Sequence, residues 1–210
     1  MGKFDGLLLV SDFDDTLSSD GYRVPERNLR ALDYFRGQGG RFTVATGRAH
    51  RTFAPHVHLV PIDAPVVLSN GSALYDFQSD RMLFQTFLPP EAPAHFAALL
   101  RELPALALEA YHGEDIYVWN PNLITDSHMA KVGTGYELCP VEEMPAPWTK
   151  AILQQERRIL LQARDWLARH CPGVYETIFS NDYYLEITLR GSTKGGMVDR
   201  LVDYLGADPA

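Results

Sequence analysis

The sequence predicts an α/β fold, a parallel-sheet core interrupted by an inserted α/β unit. Three observations carry this expectation. Over the first 76 residues, apolar runs and helical stretches alternate as strand, helix, strand, helix, strand. The strand runs are continuously apolar rather than alternating, as in parallel strands covered by helices on both faces. After Tyr75 the texture changes to shorter strands interleaved with helices, the mark of a second unit.

In chain order, LLLVSDF (7–13) is the first strand, a helix runs from Pro25 to Phe35, and RFTVAT (41–46) is the second strand. Pro25 suits a first helical position, and GQGG (37–40) supplies the stop. A second helix starts near Arg48, and APVVLSNG (64–71) is the third strand. The second unit has strands at 82–88, 105–111, 115–119 and near 148–154, with helices at 91–102, 122–131 and 155–169. VYETIFS (174–180) and YYLEITL (183–189) follow, joined by a turn at Asn181-Asp182. The expected division is a core of 1–77 and 183–210 with an insertion of 78–182.

Composition narrows the function. Of 210 residues, 46% are hydrophobic, enough to bury a core, and 19 basic residues stand against 27 acidic ones for a net charge of −8. That balance argues against nucleic-acid binding, which relies on neutralising phosphates. No apolar run approaches the roughly 20 residues of a membrane span, and no signal-peptide pattern opens the chain, so a cytoplasmic location is expected. Cys139 and Cys171 have no CxxC spacing and read as reduced structural thiols.

In a sheet of this kind the chemistry gathers at the carboxyl ends of the strands. The first strand ends in DFDDTL, where Asp12 and Asp14 flank a turn. Such a pair can divide labour, one carboxylate attacking phosphorus and the other exchanging a proton with the leaving oxygen and then with water. Two carboxylates repel a phosphate dianion, so a cation is required, and Mg²⁺ suits hard oxygen ligands. The second strand ends in VATGR, whose Thr46 can face a phosphoryl oxygen and whose Arg48 opens a helix. The third ends in SNG, offering Asn70 and Gly71, and GSTKGG places Lys194 at a helix start after YYLEITL. Each has a plainer reading as a turn, a helix cap or a surface lysine. Together, at successive strand ends, they point to one site.

The order SDFDDTL, VATGR, LSNGSALYD, YLEITLRGSTKGG resembles the Cof-type branch of the haloacid dehalogenase superfamily over essentially the whole chain. That resemblance implies a Rossmann-like core with a type IIB cap as the insertion. It implies Asp12 as nucleophile and Mg²⁺ ligand, and Asp14 as acid/base with its carbonyl on the metal. Thr46 would bind the transferring phosphoryl group, Lys194 would offset its charge, and Arg48, Asn70 and Gly71 would lie on the substrate side. The expected substrate is a small phosphorylated metabolite, a sugar phosphate. Tyr111, His112, Tyr117 and Trp119 are candidates for the pocket lining or for cap core. Asp15 stands where this branch often has Gly.

In the family a further strand bearing Gly-Asp and then Asn-Asp completes the metal site, whereas here the sequence ends at GADPA, with Asp199 and Asp203 on the preceding helix and Asp208 just after it. The expectation is a chain truncated before that motif, with its first strand left as an apolar edge open to self-association. Two readings stay open, a Mg²⁺-dependent phosphatase and a catalytically impaired phosphate-binding or interaction module.

Overall fold

A computed structural model describes residues 2–18 and 23–206; residues 207–210, including Asp208, lie outside the described part. The chain divides into two compact units, Met1–Gln85 with Thr193–Ala210, and Thr86–Ser192.

In the first unit, β1 (Leu8–Ser11) is followed by α1 (Glu26–Gly37) and β2 (Arg41–Val44). β1 and β2 pair in parallel, from Leu8 opposite Arg41 to Ser11 opposite Val44. Pro25 stands one position before the helix, with extended ψ, and accepts the first turn's amides on its carbonyl. The second helix is shorter than expected: α2 covers only His50–Phe53, and Pro55, which lacks an amide donor, sits in the 3₁₀ turns Ala54–Leu59 that follow. β3 (Val66–Leu68) joins β2 through a parallel bridge between Ala45 and Val67. β4 (Ala73–Asp76) and β5 (Arg81–Gln85) then add antiparallel strands to β3.

Alternation sorts the side chains of these strands into two cores. Phe42, Val44, Val66 and Leu68 pack with Leu32 of α1 and Phe53 of α2. Ala45, Val67 and Leu74 face the opposite side. Each fully buried Phe or Val contributes about 1.5–3 kcal/mol. β1 departs from the expectation of burial on both faces, since Leu9 is 41% exposed and Leu7, just before the strand, 46%. Among the described residues its ladder runs on one side only, to β2.

The second unit begins with α3 (Ala92–Glu102), β6 (Ala107–His112) and β7 (Asp115–Trp119). α4 (Leu123–Val132) opens on a capping box in which the Asn122 side chain accepts from the Thr125 amide while the Thr125 hydroxyl accepts from the Asn122 amide. β8 (Glu137–Leu138), β9 (Lys150–Gln154), α5 (Arg157–His170), β10 (Tyr175–Phe179) and β11 (Tyr184–Leu189) complete it. The six strands form one sheet in the order β10-β11-β9-β6-β7-β8. One face, with Leu108, Ala110, Leu153, Leu185 and Ile187, packs on α3 and α5. The other is polar and buried: Glu109 accepts from Tyr111 and Gln154 and bonds His128 of α4, while Lys150 pairs with Glu186 at 3.1 Å. The chain then returns to the first unit through α6 (Lys194–Leu205), whose Met197 and Leu201 pack against Ala45 and Val67.

Two boundaries of the sequence reading are corrected. The strand at 184–189, assigned to the core, belongs to the inserted unit, because it is hydrogen-bonded to β10 on one side and β9 on the other. The first segment runs to Gln85 rather than residue 77, because β5 closes a hairpin on β4. Cys139 and Cys171 are free thiols. Among the described residues no helix is long and apolar enough to cross a membrane.

Candidate active site

The residues singled out from sequence meet in the first unit, at the carboxyl ends of β1, β2 and β3 and the amino end of α6. Immediately after β1, the Asp12 carboxylate accepts from the Phe13 amide at 2.9 Å. Its Oδ1 also accepts from Lys194 Nζ at 2.7 Å. Both side chains remain open to solvent, 41% exposed for Asp12 and 36% for Lys194.

Lys194 owes its place to two local devices. The Thr193 hydroxyl caps α6 by accepting from the Gly196 amide at 3.0 Å. Gly71, at φ +98°, lets the backbone after β3 approach that cap so closely that a Cβ there would lie 2.0 Å from the Thr193 carbonyl oxygen. Gly71 therefore serves the placing of Lys194, a role the sequence reading did not give it.

Thr46 is fully buried at the end of β2, and its hydroxyl accepts from the Arg48 amide at 3.1 Å. Asn70 takes a left-handed conformation, φ 55°, and its side chain lies against Gly47, where a Cβ would come 3.1 Å from Asn70 Oδ1. Asp15, exposed, also has positive φ, 57°. That backbone region is open to Gly and tolerated by Asp, which accounts for the position that is often Gly in the branch it resembles.

Arg48, expected to contact substrate, makes its side-chain contacts with Asp14, Thr52 and His56. Its side chain is 7% exposed and its fork closes on Asp14, with Nη2 donating to Oδ1 at 2.7 Å and Nε to Oδ2 at 2.9 Å. The far amino group, Nη1, donates to the Thr52 carbonyl and faces His56 Nε2 at 3.0 Å. Burial, and then the Arg48 charge, hold the His56 imidazole below its usual value. The sequence reading weighs His56 only beside His58 as a metal ligand; the signal that could have found it is the four-residue step from Arg48 to Thr52 to His56, the spacing of one helical face, which α2 and its 3₁₀ continuation realise.

Of the four aromatic candidates in the inserted unit, Tyr117 and Trp119 pack against its apolar core, and the Tyr111 hydroxyl donates to Glu109. His112 Nδ1 bonds the Pro147 carbonyl at 2.9 Å. Among the described residues, no three His, Cys, Asp or Glu side chains converge as a metal site.

The sequence profile of the haloacid dehalogenase-like hydrolases matches residues 9–210, and the chain belongs to that family. A putative phosphatase of Mycoplasma pneumoniae is 34% identical over 95 residues, 45% of this chain and 34% of that protein. One from Streptococcus pyogenes is 23% identical over 208 residues, covering 96% and 77% of the two chains. The pyridoxal phosphate phosphatase YbhA of Escherichia coli is 25% identical over 95 residues, 45% and 35% of the two. The match thus spans about a third of the Mycoplasma relative's length. Among solved structures, a haloacid dehalogenase-like hydrolase of Bacteroides thetaiotaomicron superposes with a TM-score of 0.82 at 20% identity, over 98% of this chain and 78% of that one. The HAD subclass IIB sugar phosphatase BT4131 gives 0.79 at 18% identity, over 96% and 77%. At these identities the likeness is one of fold.

Proposed function

We propose that this chain carries the machinery of a Mg²⁺-dependent phosphatase that hydrolyses phosphate monoesters of small metabolites, sugar phosphates first among them, through an aspartyl-phosphate on Asp12. The observation that carries the reading is the meeting of Asp12 with Lys194 at 2.7 Å, with Asp14 two residues on and Thr46 at the next strand end. The names of its relatives, putative phosphatases and a pyridoxal phosphate phosphatase, support it, as does the fold shared with a subclass IIB sugar phosphatase.

In this reading an Asp12 carboxylate oxygen attacks phosphorus, and the P–O bond to the leaving alcohol breaks as that oxygen takes a proton from the carboxylic acid form of Asp14, which has to give up one of its two Arg48 contacts to present that proton. Asp14, now a carboxylate, takes a proton from water, whose oxygen attacks the acyl phosphate and releases inorganic phosphate and free Asp12. Lys194 offsets the charge gathered on Asp12 and the phosphoryl oxygens. In this reading the half-exposed Asp12 carboxylate and the Asp14 carbonyl are the hard oxygen donors that would hold Mg²⁺, two protein ligands with water in the rest of the shell. When bound, the ion neutralises phosphate charge that two carboxylates would otherwise repel.

The inserted unit, Thr86–Ser192, stands as the Cof-type cap in this reading and would choose the substrate. A cytoplasmic location goes with it, and two free thiols agree with a reducing compartment. The exposed Leu9 on β1, with Leu7 just before it, supports self-association through that strand.

The test is hydrolysis of sugar phosphates and of pyridoxal phosphate with Mg²⁺, comparing wild type with Asp12→Asn. Activity that needs Mg²⁺ and vanishes in the variant supports the phosphatase. Phosphate binding without turnover in the wild type would give the chain to the binding-module reading instead.

A further inference from the structure

A guanidinium donates hydrogen bonds and accepts none. This constrains the group behind the Arg48 fork. Nε and Nη2 are committed to Asp14, at 2.9 and 2.7 Å. Nη1 has two hydrogens and two partners, the Thr52 carbonyl at 3.2 Å and His56 Nε2 at 3.0 Å. Because Arg48 can only donate, His56 Nε2 must accept, so the ring is neutral and carries its proton on Nδ1. A protonated ring, or the tautomer with its proton on Nε2, would turn an N–H toward an N–H.

The surroundings hold this arrangement. His56 packs against the Phe13 ring, 5.9 Å between centroids, and Phe13 in turn lies edge-on to Phe53 at 5.3 Å. The guanidinium carbon lies 5.8 Å from the Phe13 ring. Phe13 is the residue between Asp12 and Asp14, so the imidazole and the guanidinium both bear on the turn that presents the carboxylate pair. Burial and the Arg48 charge disfavour the imidazolium, against a smaller opposing pull from Asp14 and with His58 adding to the effect.

We propose that His56 is a positioning residue: as the neutral Nδ1–H tautomer it accepts from Arg48 Nη1 and so fixes the guanidinium fork that aims the Asp14 carboxylate. Its consequence for turnover rests on the phosphatase reading above; the tautomer and the contact do not. His56 acts two bonds removed from the reacting atoms, and its removal leaves Arg48 with an unmatched buried donor and a fork free to tilt.

The experiment has two arms. Long-range nitrogen–proton correlation spectra of the wild-type chain at pH 7.5 are expected to show His56 neutral with its proton on Nδ1, the minor tautomer of free histidine. Arg48→Met is expected to move that signature. An Nε2–H or doubly protonated ring in the wild type, or a signature that Arg48→Met leaves in place, overturns the proposal. In the second arm, His56→Leu is expected to lower kcat about tenfold with little change in KM, whereas His56→Gln, whose side-chain oxygen can accept near the position of Nε2, recovers most of that loss. Equal activity in both variants overturns the positioning role. If the wild type hydrolyses no phosphate ester, the phosphatase reading fails by itself, and the spectra still decide the contact.

Discussion

Lys194 Nζ lies 2.7 Å from Asp12 Oδ1 across 182 residues of sequence, an ion pair made within a unit whose two segments flank the whole insertion. Closing so long a loop carries an entropic cost that the packing of α6 on the sheet must offset. Lys194→Met is therefore expected to lower phosphatase turnover by about a hundredfold or more, a loss of roughly 3 kcal/mol in the transition state. Stability should change little, because both side chains are substantially exposed. Steady-state kinetics beside a thermal melt separates the two effects.

Gly71→Ala tests how that lysine is held. The added Cβ meets the Thr193 carbonyl at 2.0 Å, and φ is +98°. The expected cost is at least about 1–3 kcal/mol, from the backbone strain alone. Turnover should fall together with the melting temperature, unlike in Lys194→Met. A variant that melts like wild type would show that the approach of the two backbones is not tight.

The inserted unit carries its own test in Lys150 and Glu186, a buried pair at 3.1 Å. Burial pushes the Glu186 carboxyl up, but the Lys150 charge and the hydrogen bonds from Lys150 and Ser180 bring it below the ordinary 4.5. Lys150→Met strands that carboxylate and is expected to cost about 3–5 kcal/mol. Lys150→Met with Glu186→Gln should recover part of this, as denaturant titration of the single and double variants would read.

The same pair sets a direction with pH. Glu186 is more acidic folded than unfolded, so its contribution is present above pH 4.5 and is lost as pH falls through 4.5 toward the folded value. Below 4.5 the unfolded chain binds the proton that the folded chain resists, and stability drops. In Glu186→Gln the fall in melting temperature between pH 5 and 3 should be shallower than in wild type.

The β1 edge predicts association. Leu9, 41% exposed on a strand laddered to β2 alone among the described residues, is expected to bring copies together. Leu9→Lys should shift the light-scattering mass toward the monomer. A wild-type chain that is monomeric at all concentrations would refute this.

Much of the core was legible in the sequence, because continuous apolar runs such as RFTV and VVL have few ways to be buried other than as inner strands. DFDDTL, VATGR and GSTKGG were readable too, since strand ends and helix starts fix where such residues point. The strand at 184–189 was not, because apolar content tells that a strand is buried and not which sheet will pair with it; β9 and β10 decided that.

What the sequence determined by itself is the alternation of strands and helices and the residue types at the strand ends, both consequences of local pattern and backbone chemistry. Tertiary structure decided the rest: that Arg48 serves Asp14, that His56 stands behind Arg48, and that Gly71 makes room for Thr193. The Arg48–Asp14 and Gly71–Thr193 contacts join segments far apart in the chain, which no spacing along it encodes, and the Arg48–His56 contact, eight residues apart, rests on how α2 passes into the 3₁₀ turns after it.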